Sequence, residues 1–343
     1  MNKKIDMAVN LNPLGMPKRL SKKLKKGINL LEAYSDQHNE SIIKELSKFA
    51  NIKKENIIFG NGSTEIFFML PHIFKIKKCL VVGPTFWEYE YTNKISKAKV
   101  DYFMTNEKEN FKIDFKKLEK TIVDYPFVYI CNTNNPTSVN YGKKDILRLI
   151  EKNKKTFFII DETYLLFHNE YNKRTLNKEA VKNKNLMVIT SLSKFFSVPG
   201  LRMGFGCSNK NVIEKFVKFQ IPFTTCSLTQ LSVKYLLHDN EYIKKTRKFV
   251  HQQKNKLYEL YSHLSIIKPF KPEANFILCK IKDESLNARQ LTKFIKKRGF
   301  FIRDCTPFKG LGNKYVRFTF GTKKNSLKLY KQFKELEKNG TKR

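Results

Sequence analysis

The sequence predicts an α/β protein in which a mostly parallel sheet is flanked by helices and a smaller α+β domain sits beside it. Three observations carry that expectation. Short, bounded apolar runs alternate with longer amphipathic stretches. Three of those runs lead straight into polar motifs, the place where ligands sit in such sheets. The length of 343 residues suits one large α/β unit with an appendage.

The candidate strands come first at 80–83, then at 127–131, 157–160 and 186–190. Each is continuously apolar, as a strand covered on both faces is. Stretches 66–74 and 145–152 carry helical periodicity and supply crossovers. A long helical stretch runs from about residue 241 to 263. Runs 275–279 and 316–320 then read as strands with a helix between them, which forms the smaller domain. The large domain is expected to span residues 28–245, and the small one residues 1–27 plus 246–343.

Hydrophobic residues at 41% and aromatics at 13% allow a large core. No apolar run approaches the roughly 18 residues that span a bilayer. The opening Met1-Asn-Lys-Lys lacks the apolar stretch of a secretory signal, so a cytoplasmic protein without a membrane partner is expected. Six scattered cysteines form no Cys-x-x-Cys pair, which predicts neither a metal site nor disulfides.

The formal charge of +36 raises nucleic-acid binding as a reading. The lysines are spread along the whole chain, however. The densest cluster, 18–26, has leucines at 20 and 24, the pattern of an ordinary amphipathic helix. Solvated lysine faces are therefore the favoured reading, with no nucleic-acid partner. Such a field still draws small anions toward a cleft.

The most informative segment is 191–204, Ser-Leu-Ser-Lys-Phe-Phe-Ser-Val-Pro-Gly-Leu-Arg-Met-Gly. Lys194 can form a Schiff base with an aldehyde cofactor, while Ser191, Ser193 and Arg202 can hold that cofactor's phosphate. Gly60-Asn-Gly-Ser63-Thr64-Glu65 precedes a helical run and reads either as a phosphate-binding helix start or as a plain glycine turn. Asp161-Glu-Thr-Tyr164 ends a strand. Asp161 there can pair with a protonated pyridine nitrogen or cap a helix, and Tyr164 could reach the ring's phenolic oxygen. Asn134-Asn135-Pro-Thr also ends a strand, with an asparagine biased to extended backbone. Phe86, in Pro84-Thr-Phe-Trp-Glu-Tyr89, could stack on a flat ring or belong to the core. Arg303 and Arg317 each sit in an apolar context that demands an anion, so the pair suggests a substrate with two anionic groups.

Taken in order along the chain, these motifs resemble the fold-type I pyridoxal-phosphate (PLP) enzymes, the aspartate aminotransferase superfamily. The chain looks most like the branch holding histidinol-phosphate aminotransferase and threonine-phosphate decarboxylase. It leans to the decarboxylase through Asn10-Leu-Asn12-Pro-Leu-Gly-Met-Pro17, Gln220-Ile-Pro-Phe223 and Ile302-Arg-Asp-Cys305. The resemblance implies PLP as cofactor, carried on Lys194. Asp161 is implied on the ring nitrogen, Tyr164 and Asn135 at the ring oxygen, and Phe86 on the ring face. Ser63, Thr64, Ser191, Ser193 and Arg202 are implied at the cofactor phosphate. Arg317 with Asn135 is implied at the substrate carboxylate, and Arg303 with Asn10 and Asn12 at the substrate phosphate. A homodimer is implied as well. Two departures stand out. Asn39 occupies the place assigned to a tyrosine that reaches a partner's cofactor, and Ser138 replaces the glycine that usually follows Asn-Pro-Thr.

The implied reaction is decarboxylation of L-threonine phosphate or L-serine phosphate to CO2 and aminopropanol phosphate or ethanolamine phosphate. The alternative is an aminotransferase acting on a histidinol-phosphate-like substrate or a small phospho-ketone, with glutamate as donor. The bond held perpendicular to the cofactor ring is the one that breaks. The outcome therefore depends on how Arg303 and Arg317 orient the substrate.

Overall fold

The computed structural model describes residues 4–339, without the side chain of Asn339. The outermost parts of the expected small domain, 1–3 and 340–343, lie outside the described residues. Among these, the strands are β1 (Ile5–Asp6), β2 (Ile57–Asn61), β3 (Lys78–Gly83), β4 (Lys99–Met104), β5 (Phe127–Cys131), β6 (Phe157–Asp161) and β7 (Leu186–Ser191). They continue with β8 (Met203–Ser208), β9 (Ile267–Pro269), β10 (Phe276–Ile281), β11 (Phe300–Phe301), β12 (Arg303–Asp304) and β13 (Tyr315–Thr319).

A seven-stranded sheet has the order β2-β8-β7-β6-β5-β3-β4. Adjacent pairs from β4 through β7 are parallel, and only β8 runs against its neighbours. The four apolar runs read from the sequence are its centre. Every residue of β7 is buried, and so is the apolar body of β5 and β6. This is what a strand packed by helices on both faces requires. Helices Ser63–Ile73, Lys143–Lys152 and Lys210–Phe219 lie among those that cover it.

Two glycines let β8 fit between its neighbours. A Cβ on Gly204 would lie 2.1 Å from the Ser63 amide nitrogen, and one on Gly206 would lie 2.5 Å from Met187 Cε. The first contact is with backbone, so only glycine lets the start of helix Ser63–Ile73 approach the sheet this closely.

The second sheet is antiparallel, in the order β12-β13-β10-β9. β1 pairs in parallel with β11, and Thr319 N–H donates to Met7 O at 2.8 Å. The N-terminal segment is thereby tied to the small sheet. Helix Asn240–Ser262 runs through the expected boundary at 245 and joins the two parts.

Glu107, just after β4, links the sheets. It accepts hydrogen bonds from Lys268 at 3.0 Å, Lys280 at 2.7 Å and Tyr315 at 2.8 Å. Partial burial pushes this carboxyl up, but the three donors outweigh that and hold it down at about 2. A depressed carboxylate stabilises the fold above its unfolded pKa of 4.5 and stops doing so as pH falls through about 2. Glu107→Gln should therefore cost about 1–2 kcal/mol at neutral pH. Urea unfolding of the two proteins should show that difference shrinking steadily as the pH is lowered below 4.5.

Candidate active site

The carboxyl ends of β5, β6 and β7 open onto a cavity of about 300 Å³, closed from the other side by the small sheet and by residues 8–10. All of the sequence-derived site residues line it except Asn12.

At its floor lies Asp161. Tyr89 OH donates to Asp161 Oδ2 at 2.6 Å, and the Thr163 amide donates to Oδ1 at 2.9 Å. Burial raises the carboxyl, opposed by the bonds from Thr163 and Tyr89. Among the described residues no cation pairs with it, and an unpaired buried carboxylate is costly. A protonated pyridine nitrogen would pair with such a carboxyl. Tyr89 was not picked out for this role in the sequence. The signal was its spacing, three residues after Phe86, which puts it on the first turn of helix Glu88–Ile95. Phe86 lines the cavity, as a ring-stacking residue must.

The phosphate end is built from helix Ser63–Ile73, β7 and the turn into β8. No side chain caps the helix, so its first amides are available to an anion. Gly62, at φ +83°, leaves room for Arg202, since a Cβ there would lie 2.5 Å from its guanidinium. Arg202 itself adopts φ +49°. Ser191 and Ser193 line the cavity beside it, with their hydroxyls 3.5 and 3.4 Å from Met203 O.

Lys194 projects into the same cavity. Burial lowers its pKa, and the charges of Arg317 and Arg202 push the same way. Both effects favour the neutral amine, the form that attacks an aldehyde. An acidic floor, an amine and an uncapped helix start thus suit a flat ring bearing a basic nitrogen, an aldehyde and a phosphate. The residues present fit PLP.

At the small-sheet side of the cavity Arg317 is buried on β13. It donates through Nη1 to Asn135 Oδ1 and through Nη2 to Ala8 O at 2.7 Å, while its Nε has no partner. Arg303 is not buried in an apolar strand as expected. β12 is only two residues long, and Arg303 is exposed at the cavity mouth. It stands directly opposite Arg317 in the β12–β13 pairing. Tyr164 OH accepts from Asn10 Nδ2 at 3.2 Å, and Asn10 Oδ1 is left unpartnered at the site.

Asn12 needs correction. Its Nδ2 donates to Phe195 O, Tyr242 OH and Thr246 Oγ1, and its Oδ1 accepts from Leu14 N–H. With its side chain fully engaged, it anchors the loop and does not contact the cavity. Asn39 is also turned inward. It is buried, at φ +57°, just before helix Glu40–Ala50, and its Oδ1 accepts from Gln230 Nε2 at 3.5 Å.

Residues 2–333 match the family described as aminotransferase class I and II. The chain is similar to the histidinol-phosphate aminotransferase of Methanosphaera stadtmanae, at 32% identity over 98% of this chain and 91% of that one. It is also similar to a protein provisionally named threonine-phosphate decarboxylase from Caldanaerobacter subterraneus subsp. tengcongensis, at 28% identity over 96% and 90% of the two chains. Among solved structures, the histidinol-phosphate aminotransferase from Clostridium acetobutylicum superimposes with a TM-score of 0.91 at 28% identity, covering 98% of this chain and 99% of that one.

Borohydride reduction of the cofactor-loaded protein, followed by peptide mass mapping, should place the cofactor on the Lys194 peptide. Lys194→Ala should carry no adduct. An adduct on another lysine in the unaltered protein would remove Lys194 from this role.

Proposed function

The chain belongs to the aminotransferase class I and II family, whose members depend on PLP. On that premise we propose that it decarboxylates a small O-phospho-L-amino acid, L-threonine phosphate or L-serine phosphate, to CO2 and a phosphoamine. The observation that carries this reading is the opposed pair Arg303 and Arg317. Directly opposed residues on paired strands lie roughly 5 Å apart at Cβ, and like charges there repel. A ligand with two anionic groups a few bonds apart relieves that repulsion. A phosphoamino acid is such a ligand, with a carboxylate on Cα and a phosphate on the neighbouring carbon's oxygen.

The buried Arg317, steadied by Asn135, takes the carboxylate. Arg303 at the mouth takes the phosphate and keeps it at the solvent side. Together they fix which bond at the amino-bearing carbon stands perpendicular to the ring. PLP, when bound, supplies the electron sink for the electrons of that bond. Asp161 holds the ring nitrogen protonated. Lys194 returns a proton to the amino-bearing carbon after CO2 has gone.

A second reading is transamination of a phosphorylated substrate, and the similarity to histidinol-phosphate aminotransferases supports it. There Lys194 would take the proton from that carbon instead. We also infer a homodimer. Ile28, Leu30, Leu31, Tyr34, Ile221 and Phe223 are exposed apolar side chains, Tyr34 at 90% exposure, and its ring meets that of Phe223 at 5.3 Å. Exposed apolar side chains of this number favour a protein contact.

Incubation with phosphoserine, phosphothreonine and histidinol phosphate, each with and without 2-oxoglutarate, separates the reactions by phosphorus NMR. Decarboxylation predicts a phosphoamine and CO2 without 2-oxoglutarate. Product formed only with 2-oxoglutarate would replace it by transamination. Arg303→Ala should lower kcat/KM for the phosphorylated substrate by about a hundredfold, the scale of one charge-assisted pair, and spare the dephosphorylated analogue. Equal losses on both would remove Arg303 from the phosphate role.

A further inference from the structure

The cavity contains a second carboxyl with no place in the scheme above. Glu88 lines it, is 6% exposed, and its Oε1 has no hydrogen-bond partner. A glutamate at the first position of a helix is usually an exposed carboxylate serving the helix dipole. This one is turned inward instead. The groups facing it are Thr64 on helix Ser63–Ile73, Asp161 at the end of β6, Lys194 after β7 and Arg202 before β8. Two of these, Thr64 and Arg202, are assigned to the cofactor phosphate. No ion pair joins Glu88 to Arg202 among the described residues. The Arg202 guanidinium instead donates to Pro199 O at 3.3 Å.

We propose that Glu88 is a further ligand of the cofactor phosphate, binding it as a neutral carboxylic acid that donates its proton to a phosphate oxygen. This rests on reading the cavity as the PLP site. An ionised carboxylate beside a phosphate would repel it, whereas a protonated one adds a donor to the cradle. Burial raises the Glu88 carboxyl, and nearby Asp161 adds to this. The Thr64 hydroxyl, Arg202 and Lys194 pull the other way without reversing it. The arriving phosphate adds negative charge and favours the acid further. The proton comes from solvent, so cofactor binding takes one up. Affinity should fall as pH rises and the acid becomes harder to keep.

The test needs no catalysis. The chain's single tryptophan, Trp87, lines the cavity and reports occupancy by its fluorescence. Protein stripped of cofactor is titrated between about pH 6 and pH 8.5 with PLP, and with pyridoxal, which has the same ring without the phosphate. Relative to Glu88→Gln, the unaltered protein should lose PLP affinity by up to about tenfold per pH unit, the proton-linkage limit for one group. Pyridoxal should show the same pH profile in both proteins. Glu88→Met, which has neither proton nor hydrogen bond to give, should bind PLP more weakly with a profile as flat as that of Glu88→Gln. A ratio of affinities that does not change with pH, or one that changes equally for pyridoxal, would overturn the proposal alone. Failure of the unaltered protein to bind either compound would overturn the cofactor site, and the proposal with it.

Discussion

A carboxyl buried at the end of a central strand, with no cation paired to it among the described residues, is the constraint on which the site depends. Asp161 sits where β6 stops, and Tyr89 and Thr163 only partly replace the water it has lost. Such a group costs several kcal/mol unless a positive partner arrives. In the proposed scheme the cofactor's ring nitrogen would be that partner. The surrounding chain follows from this. The turn after β3 brings Phe86 to the cavity wall and, one helical turn later, Tyr89 into hydrogen-bonding contact with the carboxylate. Both come from a single stretch of six residues, 84–89.

The rest of the cavity is cationic. Lys194, Arg202, Arg303 and Arg317 converge there against two acidic residues. This crowding does chemical work in two ways. It lowers the Lys194 pKa through repulsion, in addition to burial, and so favours the neutral amine. It also leaves Arg303 and Arg317 facing each other across paired strands, an arrangement that a ligand with two anions stabilises more than a monoanion does. The +36 charge of the whole chain adds a long-range attraction for such ligands.

Sequence patterning was most readable where burial is complete. The run 127–131 coincides with β5, and the other three central strands differ from their expected bounds by one or two residues at an end. β4 escaped because it is an edge strand of mixed polarity, half-exposed along most of its length. β8 escaped because Gly204 and Gly206 dilute its apolar pattern, although close packing is what demands them. Among site residues, motifs attached to strand ends were legible. Asn12 was misplaced because its motif locates a loop without saying which asparagine faces inward. Arg303 was expected to be buried, but a strand of two residues cannot enclose it. Tyr89 and Glu88 were hidden in an aromatic stretch whose helical phase only the fold reveals.

Ser138 shows how these parts are held in one geometry. It stands at φ +61°, a conformation that suits glycine and strains other residues by about 1 kcal/mol or more. Its hydroxyl accepts from the Ala274 amide at 2.9 Å and the Glu273 amide at 3.2 Å, bonds a glycine cannot make. Asn275 follows, and its side-chain amide donates to Asn10 O and Leu11 O. One continuous set of hydrogen bonds therefore joins the loop carrying Asn135 to the entry of β10 and to the N-terminal segment over the cavity. Asn135 in turn accepts from Arg317 on the neighbouring strand β13. The orientation of the Arg317 guanidinium is thus coupled to the seating of the small sheet on the large one. A small shift of one sheet against the other would tilt Arg317 relative to the ring. In the proposed scheme, selection among bonds at the amino-bearing carbon then becomes a property of the contact between the sheets, even though Phe86, Asn135, Asp161 and Tyr164, the residues assigned to the ring, lie at or beyond the strand ends of the larger one.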